Sequence, residues 1–199
     1  SNTEIALRPY GLIRRSGEPK DLKNFFILHE GLVRMSDENL AEDSYANMRD
    51  YVFNDREGTN AERIEVIKDG WIGFTDHFWM TALVPQPGSS FRSTGKYYAA
   101  ADIYQVETVL PKVSIATGQN ATVQSQFFAG AKDWSIIRTY EKQGVKGFLD
   151  SIDWGWFFFL TKPMFFVLHW LNLYIGNMGW AIIGLTLLIK ALLFPLSLI

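Results

Sequence analysis

Trp180 to Ile199 read WAIIGLTLLIKALLFPLSLI, an apolar run with one charged residue, Lys190, near its middle. From Gly179 to Ile199 a helix rises about 31 Å at 1.5 Å per residue, enough to cross a hydrocarbon core. Lys190 then lies about 16 Å deep, near the midplane, where a charge costs roughly 2.5–3.5 kcal/mol. With Thr186 at 0°, Lys190 falls at about 40°, Ser197 at about 20° and Gly179 at about 20°. The polar atoms form one stripe and the remainder is aliphatic or aromatic. A stripe that carries a lysine needs a protein partner or a wet cavity. A carboxylate on a neighbouring helix and a functional cavity both meet that need.

Working outward, the rest of the chain has a different character. The 199 residues include 19 basic and 21 acidic side chains. Such balance offers no basic excess for nucleic acid. Cysteine is absent, which excludes disulfides, thiolate nucleophiles and cysteine-ligated metal. His29, His77 and His169 show no metal-ligand spacing, and no phosphate-binding loop is present. The expectation is no metal, no cofactor and no catalytic residue.

Charge is unevenly spread. Residues 1–153 hold all 21 carboxylates and 17 of the basic residues, a net of −4. Residues 154–199 hold only Lys162, Lys190 and His169 as ionisable side chains of basic type, and four of the seven tryptophans. This reads as a soluble domain over 1–150, a first apolar helix over 151–176 and a second over 177–199. The opening SNTEIALRPY lacks the basic start and apolar core of a signal peptide. The chain also stops within or at the end of an apolar run, so both ends read as cuts through something larger.

In the first 150 residues, Gly and Pro punctuate short apolar runs. Phe25–Gly31, Arg63–Lys68, His77–Pro85, Lys96–Pro111 and Ala121–Gly130 read as strands, rich in aromatic and β-branched residues. Helical spacing appears at Asp37–Tyr51 and at Ala131–Gly144, the latter stopped by Gly144. The fold class is mainly β, an antiparallel sandwich with a helix at its end. Asp76 and His77, with Ser89 and Ser90 downstream, invite a hydrolytic triad. Neighbours on a strand point to opposite faces, which places the pair badly.

The first apolar helix spans Trp154–Ile175. Pro163 suits a first turn. Thr161, Lys162, His169 and Asn172 share roughly one 100° arc. That stripe fits a helix lying in the membrane interface, with Trp154, Trp156 and Trp170 at headgroup depth and Lys162 reaching to water. A second spanning helix is the alternative, since the length permits it.

The order of these features resembles the YidC/Oxa/Alb family of membrane protein insertases in its bacterial form. The residues concerned are DWGW (Asp153–Trp156), FLTKPMF (Phe159–Phe165), GNMGWAII (Gly176–Ile183) and the spacing of Thr186, Lys190 and Pro195. Upstream, PYGLI (Pro9–Ile13), FILHEG (Phe26–Gly31), GWIGFTDHFWMTALVP (Gly70–Pro85) and FFAGAKDW (Phe127–Trp134) look like the family's periplasmic domain.

The resemblance implies a periplasmic β-supersandwich like that of galactose mutarotases, an amphipathic helix on the bilayer surface and then a transmembrane helix of the bacterial inner membrane. It implies a non-enzymatic insertase and chaperone for nascent membrane proteins, with the lipid bilayer and Sec translocon components as partners. In that family a positively charged hydrophilic groove meets polar parts of the client. Lys190 occupies the charged position, with Thr186 and Ser197 beside it. The family usually has arginine there. Lysine keeps the charge but lacks the planar fork of donors. The other core helices of the family lie outside this sequence, and residues 1–150 are expected to be the C-terminal part of its periplasmic domain. Two further readings are a membrane-tethered periplasmic module binding a sugar or peptide, and an anchored hydrolase using His77 or His29.

Overall fold

The computed structural model describes residues 5–20, 28–155 and 157–195. The chain divides into two compact units, Ser1–Asp153 and Trp154–Ile199.

The first unit is mainly β. One five-stranded sheet runs in the order β12 (Ser125–Ala131), β8 (Trp79–Pro85), β7 (Gly70–Thr75), β3 (Gly31–Ser36) and β4 (Asn39–Ser44). A second runs β2 (Tyr10–Ser16), β10 (Ile103–Val109), β9 (Phe91–Tyr98), β6 (Thr59–Val66) and β5 (Phe53–Asn54). A small third sheet pairs β1 (Ile5–Leu7) with β11 (Val113–Ile115). The pairings among the described strands are antiparallel.

The first sheet is covered on both faces. On one side Leu32, Ile72 and Phe74 pack with Tyr104 and Val106 of the second sheet and with Tyr45 and Met48 of helix α1 (Tyr45–Arg49). On the other, Val33, Trp71, Met80, Ala82 and Phe128 pack against Ile137 of helix α2 (Trp134–Lys142), Val145 and Phe148. Double coverage explains why GLVRMS in β3 is buried at every position. It also explains Gly73: a Cβ there would come 1.8 Å from the Thr81 carbonyl oxygen, so only glycine lets β7 and β8 lie this close.

Local capping follows the sequence. Asp133 caps α2, its Oδ1 accepting from the Ser135 and Ile136 amides at 2.9 and 3.1 Å. Asp37 sits at φ +57° in the β3–β4 turn. Its carboxylate accepts the amides of Ile67 (3.1 Å), Lys68 (2.9 Å) and Asp69 (3.3 Å), tying that turn to the β6–β7 turn. Hydrogen bonds from Ile67 and Lys68 hold the Asp37 carboxyl below its usual range.

Four expectations for the first unit are corrected. Lys96–Pro111 is two strands, the end of β9 and β10, reversed through a turn in which Asp102 takes φ +49°. The alternating run hid that turn because Ala99–Ala101 carries no glycine or proline. Asp37–Tyr51 is not one helix. It holds a hairpin turn, β4 and the five-residue α1, because Leu40 and Ala41 pair with Met35 and Arg34 of β3. Cross-strand pairing overrides the weak helical spacing. For Phe25–Gly31, residues 25–27 lie outside the described residues, Leu28 to Glu30 are not strand, and β3 begins at Gly31. The helix expected from Ala131 to Gly144 is shorter, Trp134–Lys142, because Ala131 still pairs with Trp79.

The second unit is a pair of helices, α3 (Phe158–Ile175) and α4 (Met178–Leu193). The junction is capped on both sides. Gly176 ends α3 in the left-handed region at φ +71°. Asn177 begins α4, its Oδ1 accepting the Trp180 amide at 3.3 Å. Since α3 begins at Phe158, Pro163 lies in its second turn rather than its first. Thr161 Oγ1, donating to the Trp154 carbonyl at 2.8 Å, helps extend the helix toward its start.

Candidate functional site

The second unit carries the residues singled out for function. On α4, Ala181 is fully buried, and a Cβ on Gly184 would lie 3.8 Å from Leu171 of α3. These small residues mark the face turned to α3. Lys190 lies about 180° around the helix from Ala181 and about 120° from Gly184. Lys190 is exposed and, among the described residues, makes no ion pair. Thr186 is one turn away on the same side, its hydroxyl donating to the Ile182 carbonyl at 2.8 Å. That bond stays inside the helix. Ser197 lies outside the described residues.

Of the tryptophans in the interface reading, Trp154 precedes α3 and Trp170 lies within it. Lys162 Nζ lies 5.7 Å from the Trp154 ring centroid and 5.9 Å from that of Phe158, in cation–π range. Trp154 also meets Phe165 edge-on at 5.7 Å. Trp170 lies against Tyr174 at 4.7 Å and is half exposed. Trp156 lies outside the described residues.

By length and composition, Phe158–Ile175 is long and apolar enough to cross a membrane, while Met178–Leu193 is apolar but shorter. That property falls on the helix that the sequence reading laid in the interface. Length does not separate lying from spanning, because the deciding feature is the stripe of Thr161, Lys162, His169 and Asn172.

The hydrolytic alternative loses its geometry. Asp76 accepts from Arg15 at 2.8 Å and from the Tyr45 hydroxyl at 3.2 Å. Burial and the Asp76 charge push the Tyr45 phenol up. His77 packs on Phe78 at 3.9 Å, and Ser89 Oγ donates to the Gln86 carbonyl at 2.5 Å. His29 Nε2 bonds the Leu32 carbonyl at 2.8 Å, a backbone tie next to the start of β3. The four residues are each engaged elsewhere.

Two polar constellations escaped the sequence reading. Lys96 of β9 joins Glu57 and Glu107, each at 2.7 Å. Arg8, Arg56 and Arg92 line a cavity at one end of the second sheet. Both draw on segments far apart in the chain. The available signal was polar alternation at Arg92, Thr94 and Lys96, one face of β9.

Comparison with known proteins follows from the whole chain rather than from any one site. The YidC periplasmic domain family matches residues 1–167. Membrane protein insertase YidC of Roseobacter denitrificans is 58% identical over 197 residues, covering 99% of this chain and 32% of that protein. The protein of the same name from Dinoroseobacter shibae is 59% identical over 198 residues, covering 99% and 32%. That from Ruegeria pomeroyi is 55% identical over 203 residues, covering 100% and 33%. The chain thus spans about a third of the length of the curated relatives it matches.

Proposed function

Because the chain belongs to the YidC periplasmic domain family, we propose that it is the C-terminal part of the periplasmic domain, an interfacial helix and the first transmembrane helix of the core of an inner-membrane protein insertase. The function is to assist nascent membrane proteins into the bilayer and to help them fold there. It makes and breaks no covalent bond. The observation that carries this reading is Lys190, set on the α4 face opposite α3 and without an ion-pair partner among the described residues.

A charge so placed meets whatever packs on the far side of α4. In the complete insertase that side is a hydrophilic groove, and Lys190, Thr186 and Ser197 line it. The ammonium group attracts carboxylates and other polar groups of an incoming client, lowering the barrier to their passage through lipid. Clients arrive directly or from the Sec translocon.

The test uses the complete parent protein in reconstituted vesicles. Lys190→Arg keeps activity, since it preserves the charge. Lys190→Ala leaves the protein inserted but reduces insertion of clients with acidic translocated segments about tenfold, one charge-assisted contact, while neutral clients change little. If Lys190 is only a structural partner for a buried carboxylate, Lys190→Ala instead destabilises the protein by about 3–5 kcal/mol and all clients suffer alike. Uniform loss with a large fall in stability refutes the groove role.

In the same proposal α3 lies on the periplasmic surface of the bilayer, with Trp154, Trp156 and Trp170 at headgroup depth and Lys162 directed to water. Cysteines placed at Lys162 and Asn172 should then both react with a water-soluble maleimide from the periplasmic side. The chain has no native cysteine, so the background is clean. Labelling of the two positions from opposite sides of the membrane would show a spanning helix.

A further inference from the structure

A cavity of about 260 Å³ opens at one end of the second sheet, lined by Arg8, Arg56 and Arg92 with a single carboxylate, Glu65. Its floor is a small buried cluster of Val66, Phe91 and Leu110. The three arginines come from the β1–β2 connection, the β5–β6 turn and β9. None of them forms an ion pair among the described residues. Arg92 Nε is buried without a hydrogen-bond acceptor.

The contrast with Lys96 is informative. It lies on the same face of the same strand, and two carboxylates hold it. Glu57 is close enough to Arg92 to feel its charge, but its oxygens lie 2.7 Å from Lys96 and 3.2 Å from Arg63. Glu65 is the register partner of Arg92 across β6 and β9, yet no ion pair joins them. The fold therefore supplies carboxylates to Lys96 and Arg63 on this face, while Arg8, Arg56 and Arg92 line the cavity without an ion pair among the described residues. A buried donor without an acceptor is costly unless a ligand supplies one.

We propose that this cavity binds an organic phosphate monoester. Three guanidiniums and one carboxylate leave the lining two positive charges in excess, which matches the charge of a phosphate dianion better than that of a carboxylate. Guanidinium forks suit phosphate oxygens. The ester's organic group lies on the Val66, Phe91 and Leu110 floor. A free ester and a lipid phosphate present the same chemistry.

The test is calorimetric titration of the full chain in nanodiscs of neutral lipid at low salt, with phenyl phosphate as probe. Phenyl phosphate binds saturably and more tightly than inorganic phosphate or benzoate. Arg92→Gln and Arg56→Gln each weaken it about tenfold, the loss of one charge-assisted hydrogen bond. Glu65→Gln tightens it several-fold by removing a like charge. That opposite sign is one that misfolding does not produce. Arg138→Gln, a control on α2 over the Trp134 ring, changes nothing. Nanodiscs containing phosphatidic acid distinguish the sources: competition with phenyl phosphate that depends on Arg92 identifies the lipid headgroup, and unchanged affinity identifies a free ester. No saturable binding, benzoate binding as tightly, or equal weakening by Arg138→Gln overturns the proposal. Insertase activity does not enter any of these readouts, so the groove reading and this one fail separately.

Discussion

Replacing Lys96 by methionine should destabilise the β unit by about 3–5 kcal/mol, because it removes the ion-pair partner of buried Glu107 and the nearer partner of buried Glu57, which keeps only Arg63 at 3.2 Å. Lys96 Nζ sits 2.7 Å from Glu57 Oε2 and 2.7 Å from Glu107 Oε1. The side chains of Glu57 and Glu107 are 9% and 4% exposed, too little for water to replace the ammonium group. Gln105 Nε2 also donates to Glu107, but a neutral donor does not offset a second charge. For a unit of this size the loss corresponds to a melting temperature lower by about 6–20 °C. Adding Glu57→Gln and Glu107→Gln to Lys96→Met should recover part of it, since both carboxylate charges are gone while partly buried Arg63 loses its pairing with Glu57. A Lys96→Met variant that melts with the parent would mean the network is hydrated and contributes little.

The same network sets an acid limit. Burial alone pushes the Glu57 carboxyl up, but Lys96, Arg63 and Arg92 together hold it below its usual range. Lys146 holds Asp69 low, and the Ile67 and Lys68 amides hold Asp37 low. A carboxyl whose folded pKa is depressed adds stability above its unfolded pKa. That contribution is lost as pH falls through the folded value. The parent should therefore lose stability progressively once pH drops below the ordinary carboxylate range. The variant with all three substitutions should show a shallower acid limb, because Glu57 no longer titrates.

Trp71→Ala should cost a similar amount, about 3–5 kcal/mol, by a different route. Trp71 is fully buried in β7 and meets Phe148 edge-on at 5.1 Å. Its indole Nε1–H donates to the Lys146 carbonyl at 3.1 Å. Truncation opens a cavity between the first sheet and its helical cover and leaves that carbonyl unpaired. Trp71→Phe keeps most of the volume and loses the hydrogen bond, so it should cost less, about 1–3 kcal/mol. Urea denaturation followed by circular dichroism at 218 nm, a wavelength for β structure in general, separates the two variants. A Trp71→Ala change below about 1 kcal/mol would mean that the cover repacks freely over the sheet.

Several features were legible without any tertiary information. The charge division at Asp153 is compositional. The joint at Gly176 and Asn177 rests on local backbone and capping preferences, which act within a few residues. Strands with one polar edge, such as β8, showed their alternation. Lys190 stood out because a lone charge in an apolar run is visible in one dimension.

What only the tertiary structure decided is non-local. β3 and β7 are buried on both faces, so they carry no alternation to read. Asp37–Tyr51 became a hairpin strand and a short helix because β3 was there to pair with. The α4 face that takes Lys190 away from α3 depends on where Leu171 meets Gly184. Lys96 and Glu107 are brought together by strand register, as are Glu65 and Arg92, and the β5–β6 turn carries Glu57 to Lys96. Periodicity and capping report the neighbours of a residue along the chain, whereas the charges that face one cavity or one partner are chosen by sheet order and register, which no short stretch encodes.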